Sequence, residues 1–146
     1  MQQQAYIDTS LLVKRYVTEP GSDELDNYLL GTQPTLFVSE LTRLELASTF
    51  SRKQREGRMS KNHQAALLLQ VDEDVLSGTL RLVHLQNTII RQGLTLMQTL
   101  QQAIATLDAI HLASAMHQGM EIFMTDDKQL ARAATEAGLQ VWSSQA

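Results

Sequence analysis

Cysteine is absent from this 146-residue chain, which excludes disulfides, thiolate zinc centres and a cysteine nucleophile. Aromatic residues are scarce, with one Trp, three Tyr and three Phe, too few for recognition dominated by a stacking platform. No uninterrupted apolar run approaches membrane-spanning length, and the Met1 to Gln4 start has neither the basic residues nor the apolar core of a signal peptide. A soluble, cytoplasmic protein with no membrane partner is therefore expected. Bulk positive charge is missing as well: the net charge of -4 argues against coating nucleic acid electrostatically. Acids are absent from the whole stretch 75–107, so Asp108 stands alone after a neutral, apolar region. By contrast, five of the twelve Lys and Arg residues fall between positions 52 and 61. That run reads as a solvated helix end favourable to the dipole or as a phosphate-facing rim.

What is present suffices for one domain, 1–146, burying roughly 70% of its unfolded surface. Strand-like runs occur at 5–8, 35–38, 80–85, 121–124 and 139–142, with helical patterns between them. Leu11 to Val17 reads as a short helix stopped by Pro20-Gly21, and Ser22 as the cap of the next. Ser39 reads as the cap of a long helix over 40–56 ended by Gly57, and Ser60 opens another to about Val75. Further helical patterns cover 86–102, the segment from Thr106 or Asp108 to Gly119, and 126–137. Strands alternating with helices of crossover length predict an α/β fold, a mainly parallel sheet with helices on both faces.

Four acids stand out within that pattern. Asp8 ends the first strand run, while Asp126 and Asp127 follow the fourth, which puts them on one carboxyl edge of a parallel sheet. Each also has a purely structural reading, since acids cap helices and favour their N-termini. Glu45 shares a helix face with Leu41 and Leu44, at the margin of a buried face or in a polar pocket. Asp108 shares a face with His111, Leu112 and Ala115, so it is either a helix cap or a carboxylate turned towards packed surface. His111 fits an Asp-x-x-His ligand spacing, but a single His on an apolar face reads first as a satisfied core residue.

Taken jointly, these segments resemble a known family. Tyr-Ile-Asp-Thr-Ser-Leu-Leu-Val-Lys-Arg-Tyr at 6–16, followed by Glu-Pro-Gly-Ser at 19–22, is similar to the start of PIN-domain ribonucleases, particularly the VapC-like toxins of toxin-antitoxin pairs. Ser-Glu-Leu-Thr-Arg-Leu-Glu-Leu-Ala at 39–47 resembles their second motif and marks Glu45. Thr-Leu-Asp-Ala-Ile-His-Leu-Ala at 106–113 resembles the third and marks Asp108. Thr125-Asp126-Asp127-Lys128-Gln129-Leu130 resembles the fourth, Thr-x-Asp-x-x-Leu, and selects Asp127 over Asp126. Two departures are Asp126, an extra acid able to supplement or replace Asp127, and Ala105, where such proteins often carry a base. The resemblance implies a three-layer α/β/α domain with about five short strands, a metal-dependent endoribonuclease, a homodimer and a small antitoxin covering the acidic pocket.

Chemistry supports the same expectation. Carboxylates that converge repel by about 4 kcal/mol per pair at ~4 Å and an effective dielectric near 20, and hard oxygen ligands without cysteine suit Mg²⁺ or Mn²⁺. Asp8 and Asp127 are then the principal ligands, with Glu45 and Asp108 ligating directly or through water. Ser10 and Thr125, with Asp126, are expected to support them by hydrogen bonds. Single-stranded or looped RNA is the expected substrate, its flanking phosphates held by Arg52, Lys53 and Arg55. Two rivals remain at the level of sequence. Phosphoryl transfer through an aspartyl intermediate commonly uses a second Asp two positions on, where this chain has Ser10. A catalytically weak or inactive module of the same fold would bind metal and a partner without turnover.

Overall fold

The computed structural model describes residues 2–145, so Met1 and Ala146, the outermost residues of the expected 1–146 domain, lie outside the described residues. Twelve elements follow one another among them: β1 (Gln4–Ile7), α1 (Thr9–Tyr16), α2 (Ser22–Thr32), β2 (Thr35–Ser39), α3 (Leu41–Arg55), α4 (Lys61–Leu76), β3 (Leu80–Val83), α5 (Asn87–Thr99), α6 (Thr106–His117), β4 (Ile122–Met124), α7 (Lys128–Glu136) and β5 (Gln140–Trp142). The five strands form one sheet in the order β3-β2-β1-β4-β5, and every pairing is parallel. No helix among the described residues is long and apolar enough to cross a membrane.

Strand alternation divides the core in two. On one face Ala5, Ile7, Leu36, Val38 and Met124 pack against Leu11, Leu12, Leu25, Leu46 and Phe50 from α1 to α3. On the other, Tyr6, Phe37 and Phe123 pack against Leu96, Leu112, Leu130 and Ala133 from α5 to α7. Successive strand residues point to opposite faces, so a sheet buried on both sides reads as continuous apolar runs. Tyr6 and Phe123, neighbours in the β1–β4 register, stack with centroids 5.4 Å apart. The result is a three-layer α/β/α architecture.

Strand order positions the site. From β1 the chain moves outward through β2 to β3, then returns to β4 on the other side of β1. The reversal creates a crevice beyond the carboxyl ends of β1 and β4, the usual ligand position in open α/β sheets.

Several helix starts differ from the sequence reading in their capping residue. Ser39 ends β2, and Glu40 takes the cap position of α3, whereas Asp8 caps α1 as its structural reading had it, accepting the Leu11 N–H at 3.0 Å. Ser22 lies inside α2, after Gly21 at φ 101°. Its hydroxyl instead accepts the Glu19 N–H and donates to the Lys14 carbonyl, closing the turn between α1 and α2. Ala105, not Asp108, occupies the cap position of α6, so capping does not account for Asp108.

Candidate active site

Asp8 leaves β1 and enters α1 at the crevice. It is 3% exposed, and its oxygens accept hydrogen bonds from Leu11 N–H at 3.0 Å, the Ser10 hydroxyl at 3.0 Å and the Thr125 hydroxyl at 2.7 Å. Burial pushes its carboxyl above the ordinary carboxylate range, and those hydrogen bonds offset only part of the rise. Asp127 approaches from β4. It caps α7 through Oδ1, which accepts the Gln129 and Leu130 N–H groups at 2.9 and 3.1 Å. Its own N–H donates to Thr125 Oγ1 at 3.0 Å, so one threonine ties Asp8 to the Asp127 backbone.

Asp108 lies in the first turn of α6 and is partly buried. Its carboxyl is pushed up by burial first, and then by the charges of Asp127 and Glu45. Asp108 thus lies in the field of both carboxylates. Glu45, on α3, accepts from the Thr9 hydroxyl at 2.8 Å and from His111 Nε2 at 2.8 Å through the same oxygen, Oε1. Burial pulls Glu45 upward, but the His111 hydrogen bond, the imidazole charge whenever the ring is protonated, and Thr9 together hold it below its usual range. A cleft of about 430 Å³ flanks Glu45, bordered by Thr9, Ser10, Leu41, Leu44 and Leu107.

The donor set is all oxygen apart from His111, a hard-cation environment. Two of its carboxyls are held up by burial, and a divalent cation would relieve that desolvation and repulsion. The residues therefore fit a hard divalent cation. Among the described residues, however, no three His, Asp or Glu side chains are grouped closely enough to hold one ion directly. Such a cation would keep several waters, as Mg²⁺ commonly does.

The remaining expected residues fall in three places. Asp126 turns away from the Asp8–Thr125–Asp127 link: it pairs with Lys14 at 2.6 Å and accepts from the Ser143 hydroxyl and from both the N–H and hydroxyl of Ser144. Those bonds hold its carboxyl down against the effect of burial. Arg52 and Arg55 are exposed on α3. Lys53 is not available in the same way, being 8% exposed and bonded to Glu19 at 2.8 Å. Residues that sequence reasoning missed are Thr9, Tyr6 and Lys14; the missed hydroxyls and ammonium act across elements, which no local spacing encodes. His111 is a satisfied buried histidine, with both ring nitrogens engaged.

Strand order, the carboxylate crevice and its threonine bridge together make a site on a small α/β domain, and comparison identifies the class. Residues 5–136 match the PIN domain family, to which the chain belongs. It is 33% identical over 140 residues to Ribonuclease VapC46 of Mycobacterium tuberculosis (strain ATCC 25618 / H37Rv), covering 93% of this chain and 94% of that protein. The fold is shared with FitAcB from Neisseria gonorrhoeae, with a TM-score of 0.72 at 14% identity over 97% of this chain and 99% of that one. A toxin-antitoxin complex from Klebsiella pneumoniae aligns with a TM-score of 0.65 at 18% identity, over 97% and 98%.

Proposed function

We propose that this chain is a Mg²⁺- or Mn²⁺-dependent endoribonuclease, the toxin component of a toxin-antitoxin pair, acting at the site formed by Asp8, Glu45, Asp108 and Asp127. The observation that carries the reading is the Thr125 bridge. Its hydroxyl orients buried Asp8 and the Asp127 backbone at the sheet's switch point, while Asp108 shares the electrostatic field of Asp127 and Glu45. Descent from a common ancestor with a ribonuclease, supported by 33% identity over nearly the full length, favours RNA as substrate.

A divalent cation held there would supply water activation for in-line attack and charge stabilisation on the phosphoryl oxygens. Asp8 and Asp127 are the principal ligands in this reading, and Glu45 and Asp108 ligate directly or through water. Ser10 and Thr125 keep Asp8 oriented, their hydroxyls spending their protons on it. Exposed Arg52 and Arg55 hold flanking phosphates of a single-stranded or looped RNA. The partners are a small antitoxin, as in the toxin-antitoxin complex of like fold, and a second copy of the chain. Exposed Leu94, Met97 and Leu107 supply apolar surface for such contacts. The working compartment in this reading is the cytoplasm.

Metal-dependent cleavage mapped across total cellular RNA tests the proposal, with Asp8→Asn as control. Loss of cleavage in the folded variant is expected; cleavage at the parental rate under matched Mg²⁺ would sink the assignment. A second reading, a metal- and partner-binding module without turnover, draws on the lack of three closely grouped ligands among the described residues. Mn²⁺ binding with every RNA of a broad panel left intact would select it.

A further inference from the structure

Asp8 and Asp127 are fixed by backbone N–H groups at helix starts. Glu45 has no such support. It lies within α3, its own N–H and C=O belong to the helix, and its longer side chain carries one more rotatable bond. Whatever orients it must come from other side chains.

Two protons reach Glu45 Oε1, from Thr9 at 2.8 Å and His111 Nε2 at 2.8 Å. An ionised carboxylate only accepts, so Nε2 carries a hydrogen. At the opposite ring nitrogen, Nδ1 lies 2.6 Å from the Tyr6 phenol oxygen. That oxygen already accepts the Ser39 N–H at 3.0 Å. A proton on Nδ1 would therefore turn the phenol's own hydrogen away from the ring, towards Ser114 Oγ. Ser114 stands beside the phenol and donates its hydroxyl hydrogen to the Ile110 carbonyl at 2.7 Å. With a neutral ring the bonds run in one direction: Ser39 N–H to Tyr6 O, Tyr6 O–H to Nδ1, Nε2–H to Glu45.

We propose that Tyr6 and His111 are positioning residues that orient Glu45 through this relay, leaving Oε2 available to a cation; the proposal rests on the reading of Glu45 as a metal ligand. Burial keeps water from competing, since Tyr6 is 0% and His111 3% exposed. Packing fixes the donors: Tyr6 stacks on Phe123 and meets the His111 ring edge-on at 5.8 Å. Oε2 of Glu45 has no protein partner among the described residues. The relay thus runs from the ends of β1 and β2, through α6, to α3.

Supporting partners of this kind typically change metal affinity 10- to 100-fold. In ¹⁵N-labelled metal-free protein at neutral pH, the His111 ring is expected to show a protonated Nε2 and a bare Nδ1. A ring protonated at Nδ1, alone or together with Nε2, overturns the relay. Mn²⁺ titration supplies the second readout. His111→Leu should lose roughly 10- to 100-fold in affinity, and His111→Gln, whose amide N–H can replace Nε2–H, should recover most of it. Tyr6→Phe, which keeps the stacked ring, should lose affinity in the same direction and let the His111 tautomer mix. Parental Mn²⁺ affinity in folded Tyr6→Phe or His111→Leu overturns the positioning role. Glu45→Gln separates the premise from the relay: unchanged Mn²⁺ affinity there overturns the proposal through its ligand, while the metal-free tautomer still reports the relay itself.

Discussion

The Thr125 hydroxyl donates to Asp8 Oδ2 at 2.7 Å while its oxygen receives the Asp127 N–H at 3.0 Å. Thr125 is fully buried, so neither contact has a water to replace it. Thr125→Val conserves shape but leaves Asp8 short of a donor and the Asp127 N–H short of an acceptor. Leaving buried polar groups unsatisfied costs about 1–3 kcal/mol. Urea denaturation should show a loss in that range for Thr125→Val and near-parental stability for Thr125→Ser. Equal midpoints for parent and Thr125→Val would deny the bridge its structural role.

Burial raises the Asp8 carboxyl above its ordinary value of 3.8, so the folded protein holds that proton to higher pH than the unfolded chain. Stability from this residue is therefore full below about pH 3.8 and falls as pH rises towards the folded-state value. Asp126 acts oppositely: its carboxyl is held below 3.8, and its contribution is lost as pH falls. A variant difference isolates Asp8 from that background. Without metal, Asp8→Asn should match the parent at low pH and become progressively the more stable as pH rises past about 3.8. Excess Mg²⁺ should restore the parent and do less for the variant. Thermal unfolding across pH, with and without Mg²⁺, reads both; a constant offset at every pH would remove Asp8 burial as the cause.

Gly21 adopts φ 101°, and a Cβ placed there would lie 2.4 Å from Ser144 Oγ. That hydroxyl cannot swing aside without abandoning Asp126, to which it bonds at 2.5 Å. Gly57, at φ 76°, faces open space. Gly57→Ala should therefore cost only the left-handed backbone penalty, about 1–2 kcal/mol, and Gly21→Ala distinctly more. Equal losses in chemical denaturation would show that Ser144 yields freely.

Lys53 and Arg52 are sequence neighbours with opposite surroundings, one buried against Glu19 and one exposed. Replacing Arg52 and Arg55 together by Gln should weaken RNA binding and reduce its salt slope, with stability within about 0.5 kcal/mol of the parent. Glu19→Gln, which strips Lys53 of its charged partner, should instead cost about 1–3 kcal/mol and leave the salt slope alone. Filter binding over a salt series, paired with denaturation, distinguishes the two. Swapped outcomes would reassign Lys53 to the RNA.

The sheet and its helices were legible because their signals are local. Apolar runs such as Thr35 to Val38 and Glu121 to Met124 lie between helical patterns, and β2 and β4 form there. Strand order was not, since β1 pairs with both β2 and β4 and the partner choice depends on both packed faces. Capping divided similarly. Ser60 caps α4 and Asp8 caps α1 as their positions suggested, but Gly21 and Glu40 took the cap positions expected of Ser22 and Ser39. At the site, motif positions single out the acids themselves. Their supports, Tyr6 to His111 and Lys14 to Asp126, span 105 and 112 residues, distances at which spacing carries no geometric information. Lys53 was misplaced for the same reason: a basic run looks uniform in sequence, while the helix turns one of its members inward against Glu19.

The separation of 117 residues between Asp8 and Thr125 couples the pocket to the completeness of folding. A parallel sheet offers no hairpin that forms early, and long-range closure precedes its reward. Any partly folded form that has lost β4 from the side of β1 leaves Asp8 without its Thr125 donor and separates it from Asp127. The centre thus behaves as a sensor of its own scaffold, present in the intact fold and dismantled by the first opening that parts those two strands.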